Sequence, residues 1–203
     1  MKKFILFLYL LISFHLFGQN IDKVINKQIY TSYFSYSLKA PLYVSYDLYN
    51  GGGDYSRKNL RFKEEIGSAK NKDYAKSGFD KGHLVNAEDF AYNSDFQKLT
   101  FSLYNVFPQN PNLNRGVWKT WETTIRNESK KWPLRIYVGA IYGNRKINGK
   151  IAIPEYCWKV VINKKTGLIL HSLIFKNDSS GSVARISLKD LKNKLTYPID
   201  FIK

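Results

Sequence analysis

Phe79-Asp80-Lys81-Gly82-His83-Leu84-Val85 reads as a short strand running into a basic, glycine-bearing corner. Downstream stand Asn105-Val106-Phe107-Pro108-Gln109, then Asn114-Arg115-Gly116-Val117-Trp118, then Glu122 and Arg126. The later part of that series lies on the clearest helix of the chain, residues 113–130. Leu113, Val117, Trp118, Trp121 and Ile125 recur at helical spacing and make one apolar face. Asn112 can cap the start, and Pro133 ends the helix. Asn114 therefore opens it. Glu122 follows eight residues on, within about a quarter-turn of the same face, and Arg126 follows at i+4 from Glu122. An exposed ion pair is the ordinary reading of that last pair.

The chain has three histidines. His15 lies in an N-terminal leader. His171 lies mid-strand in Leu170-His171-Ser172-Leu173, where a packing role is the plain reading. His83 is left as the side chain placed to act as a general base near neutral pH. A lone histidine is more often structural, so this assignment leans on the pattern around it.

Residues 28–49 alternate apolar or aromatic residues with polar ones and read as strands, most clearly 41–49. Gly51-Gly52-Gly53-Asp54 interrupts them. It lacks the Lys-Ser/Thr of a phosphate-binding loop and reads as a flexible turn. Residues 55–77 read as polar loop, and a helical turn is expected around 88–96. Strands return at 135–142, 156–162 and 168–175, the last two joined by the hairpin turn Asn163-Lys164-Lys165-Thr166-Gly167. Residues 187–195 read as a short closing helix. Strands, helix, strands argue a mixed α+β domain rather than alternating βαβ units. No repeat or linker divides residues 20–203, so one domain is expected.

Of the 203 residues, 44% are apolar and 16% aromatic, a globular composition that favours strands. Lysine and arginine number 32 against 16 acidic residues, a net charge of +16. A field of that sign draws polyanions. Nucleic acid is the leading partner, because neutralising phosphates releases counterions. Lys2 and Lys3, the apolar run 4–17 and Gly18-Gln19-Asn20 read as a secretory signal peptide over residues 1–19. The protein is then expected to be secreted or periplasmic, without membrane association after cleavage, and with a mature charge of +14 once the two leader lysines are removed. Cys157 is single, so no internal disulfide forms. In Tyr156-Cys157-Trp158 it reads as a buried structural thiol.

The order of Asp80-Lys81-Gly82-His83, Asn-x-x-Pro-Gln from Asn105, and then Asn114, Trp118, Glu122 and Arg126 at steps of four resembles the DNA/RNA non-specific endonuclease family. Its ββα-metal (His-Me finger) fold has an antiparallel central sheet with flanking helices. Tyr43-Val44-Ser45-Tyr46 is similar to the family's early strand, and residues 135–142 and 153–160 to its later ones. The resemblance implies a magnesium-dependent endonuclease, with manganese as a substitute, that hydrolyses phosphodiester bonds of DNA and RNA without sequence specificity. It implies that His83 deprotonates the attacking water and that Asn114 is the single direct protein ligand of the metal. Glu122 would hold the metal's waters, Arg126 would bind phosphate, and Asn105 would brace the site. Arg61 matches the family's upstream phosphate-binding arginine, with Arg57 as a rival. Lys81 stands where the family usually carries arginine, which keeps the charge and loses the planar two-point grip on phosphate. The chemistry needs such a set. Hydrolysis builds negative charge on the phosphoryl oxygens and the leaving 3′-oxygen, which a hard cation and fixed positive groups stabilise. The alternative is a non-catalytic basic protein on the same fold that binds nucleic acid or another polyanion. It explains the charge but not the joint presence of His83, Asn114 and Glu122.

Overall fold

Two faces of one sheet account for most of the apolar sequence. In the computed structural model, which describes residues 19–201, seven antiparallel strands lie in the order β1-β2-β3-β6-β7-β8-β9. The early meander is β1 (Lys23–Asn26), β2 (Tyr30–Ser35) and β3 (Ala40–Leu48). The late one is β6 (Leu134–Ile147), β7 (Ile151–Asn163), β8 (Ile169–Lys176) and β9 (Val183–Arg185). A separate two-stranded ribbon pairs β4 (Asp80–His83) with β5 (Val106–Gln109). The helices are α1 (Ser94–Leu99), the single turn α2 (Pro111–Leu113), α3 (Lys119–Ser129) and α4 (Leu188–Lys194). This is the expected α+β architecture with an antiparallel sheet and flanking helices.

Side chains alternate across a strand, so β7 feeds two cores. Trp158 faces the C-terminal layer, where its Nε1–H donates to Tyr197 Oη at 3.2 Å and its ring meets Phe201 edge-on at 5.7 Å. Lys159 points the other way, its Nζ 3.8 Å from the centre of the Trp118 ring. Phe175 of β8 packs edge-on against the same ring at 5.0 Å, and Phe107 of β5 at 6.0 Å. Trp118 is fully buried. It holds the β4–β5 ribbon and the helix behind it against the sheet, and truncating such a side chain costs about 3–5 kcal/mol. Asn177 adds a polar clamp at the same seam. Its Nδ2 donates to the carbonyls of Pro108 (3.0 Å) and Pro154 (2.9 Å), and its Oδ1 accepts the Asn110 N–H at 2.8 Å.

The long helix departs from expectation at its start. It begins at Pro111, and its cap is Asn110, whose side chain accepts the Asn112 N–H at 2.9 Å. Asn112 lies inside the first turn instead of capping it. Proline has no N–H to satisfy and is well suited to a first helical position, which moves the start upstream. Nor is the helix continuous. Gly116 leaves helical space at φ −100° and ψ −116°, and regular helix resumes at Lys119. The turn expected at 88–96 divides into a 3-10 turn, Ala87–Phe90, capped by Asn86, and α1, capped by Asn93. A further 3-10 turn, Asn71–Tyr74, lies within the expected loop at 55–77.

Cys157 is fully buried, and burial pushes its thiol well above the usual range. His171 is structural as expected, with Nε2 at 2.8 and 2.9 Å from the two Glu128 carboxylate oxygens. The leader segment up to residue 18, including His15, lies outside the described residues. Among the described residues, no helix is long and apolar enough to cross a membrane.

Candidate active site

His83 ends β4, opposite Val106 of β5. The glycine before it is required by the ribbon, because a Cβ on Gly82 would collide with the Gln109 side chain. Asn105, itself fully buried, braces the corner. Its Oδ1 accepts the Val85 N–H at 2.9 Å, and its Nδ2 donates to the carbonyls of Val85 (3.0 Å) and Thr100 (2.9 Å). The His83 ring lies between Phe62 and Phe101, with both ring centroids 4.9 Å away. Burial there, followed by the charge of Arg57, pushes the imidazole down to about 3. The ring is therefore neutral at pH 7.

Asn114 sits across the corner. Its Nδ2 donates to Asp80 Oδ2 at 2.9 Å. Asp80 is held in turn by Arg115, Nε to Oδ2 at 2.9 Å and Nη2 to Oδ1 at 2.6 Å. Burial works against the Asp80 carboxylate, but these two hydrogen-bonding partners outweigh it and hold it below its usual range. With the amide nitrogen committed to Asp80, the amide oxygen is the remaining polar atom of Asn114.

Beneath α3 lies a cluster of buried charge. Arg126 Nε donates to Asp89 Oδ1 at 2.9 Å, and Tyr46 Oη donates to Asp89 Oδ2 at 3.0 Å. The expected i, i+4 pairing of Arg126 with Glu122 is thus replaced by a pair to Asp89, which approaches from the preceding 3-10 turn. Lys159 is 1% exposed on its strand. Burial pushes its ammonium down, while Glu122 and Asp89 hold it up. Burial pushes Glu122 up to about 7; the charge of Lys159 opposes this, Asp89 adds to it, and Arg126 opposes it. Lys159 and Asp89 were missed by sequence reasoning. The available signal was a lone lysine inside the apolar run Cys157-Trp158-Lys159-Val160-Val161.

A cavity of about 400 Å³ is lined by His83, Asn114, Glu122, Arg126, Arg57 and Lys119 among others. A second, of about 440 Å³, shares Arg57, His83 and Asn114 with it and adds Lys58, Phe62, Lys81 and Phe101. The expected residues His83, Asn114, Glu122, Arg126 and Lys81 therefore converge, with Asn105 directly behind them. Lys81 donates from Nζ to Asn71 Oδ1 at 3.1 Å and lies over the Phe62 and Tyr74 rings at 5.4 and 5.6 Å. Arg61 does not join them. Its guanidinium turns back on the carbonyls of Lys58 and Leu60, at 3.3 and 3.2 Å, and it lines a different cavity. Arg57 lines both cavities at His83 and pairs with Glu88 at 3.1 Å. Of the two arginines, Arg57 is thus the one that lines the cavities at His83, while Arg61 lines another.

An antiparallel ribbon with a histidine at its corner, followed by a helix that carries an asparagine into the same cavity after its first turn, defines a ββα-metal fold. The chain belongs to the DNA/RNA non-specific endonuclease family, whose profile matches residues 11–199. It is 28% identical over 134 residues to mitochondrial nuclease EXOG of Xenopus laevis, covering 57% of this chain and 37% of that protein. It is 31% identical over 135 residues to mitochondrial endonuclease G of Homo sapiens, covering 57% and 45%. A nuclease of Nostoc sp. is 29% identical over 91 residues, covering 44% and 33%. The chain thus spans less than half the length of these relatives. Among solved structures, an EndoG/EndoGI complex described as giving the mechanism of EndoG inhibition shares the fold, with a TM-score of 0.73 and 20% identity over 87% of this chain and 84% of that one. These findings overturn the expected secreted or periplasmic localisation. The relatives from Xenopus laevis and Homo sapiens are named as mitochondrial nucleases.

Proposed function

We propose that this chain hydrolyses phosphodiester bonds of DNA and RNA with little regard for sequence, using a divalent cation, magnesium first and manganese as a substitute. The observation that carries the reading is the meeting of His83 and Asn114 on the wall shared by two cavities lined with Arg57, Lys58, Lys81, Lys119 and Arg126. The donor set fits a hard cation. Asp80 pins the nitrogen of the Asn114 amide and leaves its oxygen, and Glu122 supplies a carboxylate in the same cavity. Among the described residues no cluster of three His, Cys, Asp or Glu side chains competes as a metal centre. Magnesium keeps several of its waters, so one amide oxygen with a water-mediated carboxylate can hold it. When bound, the cation supplies a Lewis acid that offsets charge on the phosphoryl and leaving oxygens.

The chain's own residues do the rest. His83, neutral at pH 7, takes the proton of the attacking water. Arg126 uses Nε on Asp89 and offers its remaining N–H groups to phosphate, and Arg57 and Lys81 add fixed positive charge where negative charge develops. Asn105 is a positioning residue that holds the corner bearing His83. The test is plasmid and RNA degradation by the purified protein in magnesium and in EDTA. Wild type is expected to cut in magnesium only, and His83→Ala to lose about 10²–10⁴ in rate while still binding DNA. Binding without cleavage by wild type in either metal would favour the non-catalytic alternative.

A further inference from the structure

Arg61 marks a second basic cavity that the catalytic reading leaves unused. It measures about 340 Å³ and is lined by Lys27, Arg61, Lys63, Glu65, Asp95 and Lys98, with Phe101 in its wall. The same Phe101 walls the cavity that holds His83 and Lys81, so the two spaces are neighbours across one side chain. The arm carrying Arg61 and Lys63 is pinned beside that ring. The Lys63 N–H donates to the Phe101 carbonyl at 2.9 Å, and the Leu103 N–H donates to the Lys63 carbonyl at 3.0 Å.

The charges in this cavity sort into a paired interior and an open rim. Glu65 accepts from Lys27 Nζ at 2.9 Å and from Ser102 Oγ at 3.0 Å, which neutralises Lys27 at the cavity's inner end. Lys63 is 4.0 Å from the same carboxylate but 72% exposed at its side chain. Among the described residues no carboxylate pairs with Arg61 or Lys98. Asp95 is the one remaining acidic group in the lining. Three lysine or arginine heads thus face solvent one ring beyond the catalytic cavities, continuing the row of Lys58, Arg57 and Lys81.

We infer that this second cavity is an outlying phosphate subsite, which holds the backbone of a single-stranded stretch of DNA or RNA as it leaves the catalytic cavities past Phe101. The inference rests on the proposed nucleolytic reading and deepens it. A long strand gains contacts there, and an oligonucleotide too short to span Phe101 does not.

The test is binding of labelled single-stranded 20-mer and 4-mer DNA in EDTA, so that turnover plays no part. The proteins compared are wild type, Arg61→Glu/Lys98→Glu, Asp95→Asn, and the charge-matched control Lys189→Glu/Lys194→Glu on α4. The Arg61/Lys98 variant should weaken the 20-mer about tenfold and flatten its salt dependence by about one unit per lost phosphate contact. The 4-mer should lose far less. Asp95→Asn should tighten the 20-mer, a gain that misfolding cannot produce, and the α4 control should stay near wild type. Equal losses for both lengths, losses as large in the α4 control, or an unchanged 20-mer in the Arg61/Lys98 variant would overturn the subsite. A wild type that binds neither oligonucleotide overturns the subsite, while the nucleolytic reading is decided separately by plasmid and RNA cleavage in magnesium. A wild type with this length dependence that fails to cut in magnesium sinks the nucleolytic reading and leaves the subsite standing.

Discussion

Lys159 is the residue where packing and charge separate most cleanly. Its stem and head fill the space over Trp118, and its charge balances Asp89 and Glu122. Lys159→Met keeps most of the volume and removes the charge. Taking one partner from a buried ionic cluster leaves uncompensated charge, so the variant should lose about 3 kcal/mol of stability in urea unfolding. Lys159→Met/Glu122→Gln should recover part of that loss, and an additive double variant would show that Lys159 and Glu122 are not coupled through charge. Asn114 and Lys81 differ in kind. Asn114→Ala should abolish cleavage at ordinary magnesium, with partial rescue at much higher concentration. Lys81→Ala should cost a few kcal/mol of transition-state stabilisation at most and leave the magnesium midpoint in place. Lys81→Arg should hold or raise the rate, since a planar fork can make two bonds to phosphate. A magnesium titration of cleavage by the three variants checks this. A midpoint shifted by Lys81→Ala and not by Asn114→Ala would reverse the roles.

At the scale of elements, the ribbon and helix owe their position to a few polar ties as much as to the apolar seam. Asn177 satisfies two carbonyls and one N–H from three separate segments. Asn177→Ala strands all three, and each buried unsatisfied group costs about 1–3 kcal/mol. We expect a loss of about 3 kcal/mol in denaturant unfolding, with cleavage falling at temperatures where the protein remains folded. Stability within 0.5 kcal/mol of wild type would mean that water replaces the side chain freely. The sequence pattern shows why this tie escapes a reading of the chain alone. Period and punctuation were enough to see β3, β6, β7, β8 and α4, because each sorts its own apolar residues. The break at Gly116 and the start at Pro111 were hidden, because the apolar face runs through the first and the second depends on Asn110 being held by Asn177, 67 residues away.

At the scale of the whole molecule, the acidic residues are spent locally and the basic excess is left as a field. Asp80 is paired with Arg115, Asp89 with Arg126, Glu88 with Arg57, and Asp47 with both Arg135 and Lys164. A chain at +16 with its carboxylates so occupied meets a polyanion mainly through phosphate. The count of charges was legible in the composition. Their grouping around His83 was not, since Arg57, Lys81 and Lys119 come from three separate elements and Arg61, four residues from Arg57, turns elsewhere. Phosphate contacts position a nucleic acid without reading its bases, so rate and sequence preference should respond differently to salt. For about four to six phosphate contacts, kcat/KM on plasmid DNA should fall on the order of 10²–10³-fold between roughly 50 and 200 mM salt. The rate at saturating DNA should move far less, because salt acts on encounter and binding and leaves the bound cavity alone. Fragment ends mapped at both salts should show no defined recognition sequence. The measurement is initial rates at saturating magnesium across a salt series, with the ends sequenced. A kcat/KM indifferent to salt, or cleavage confined to a fixed sequence, would mean that contacts other than phosphate carry the binding.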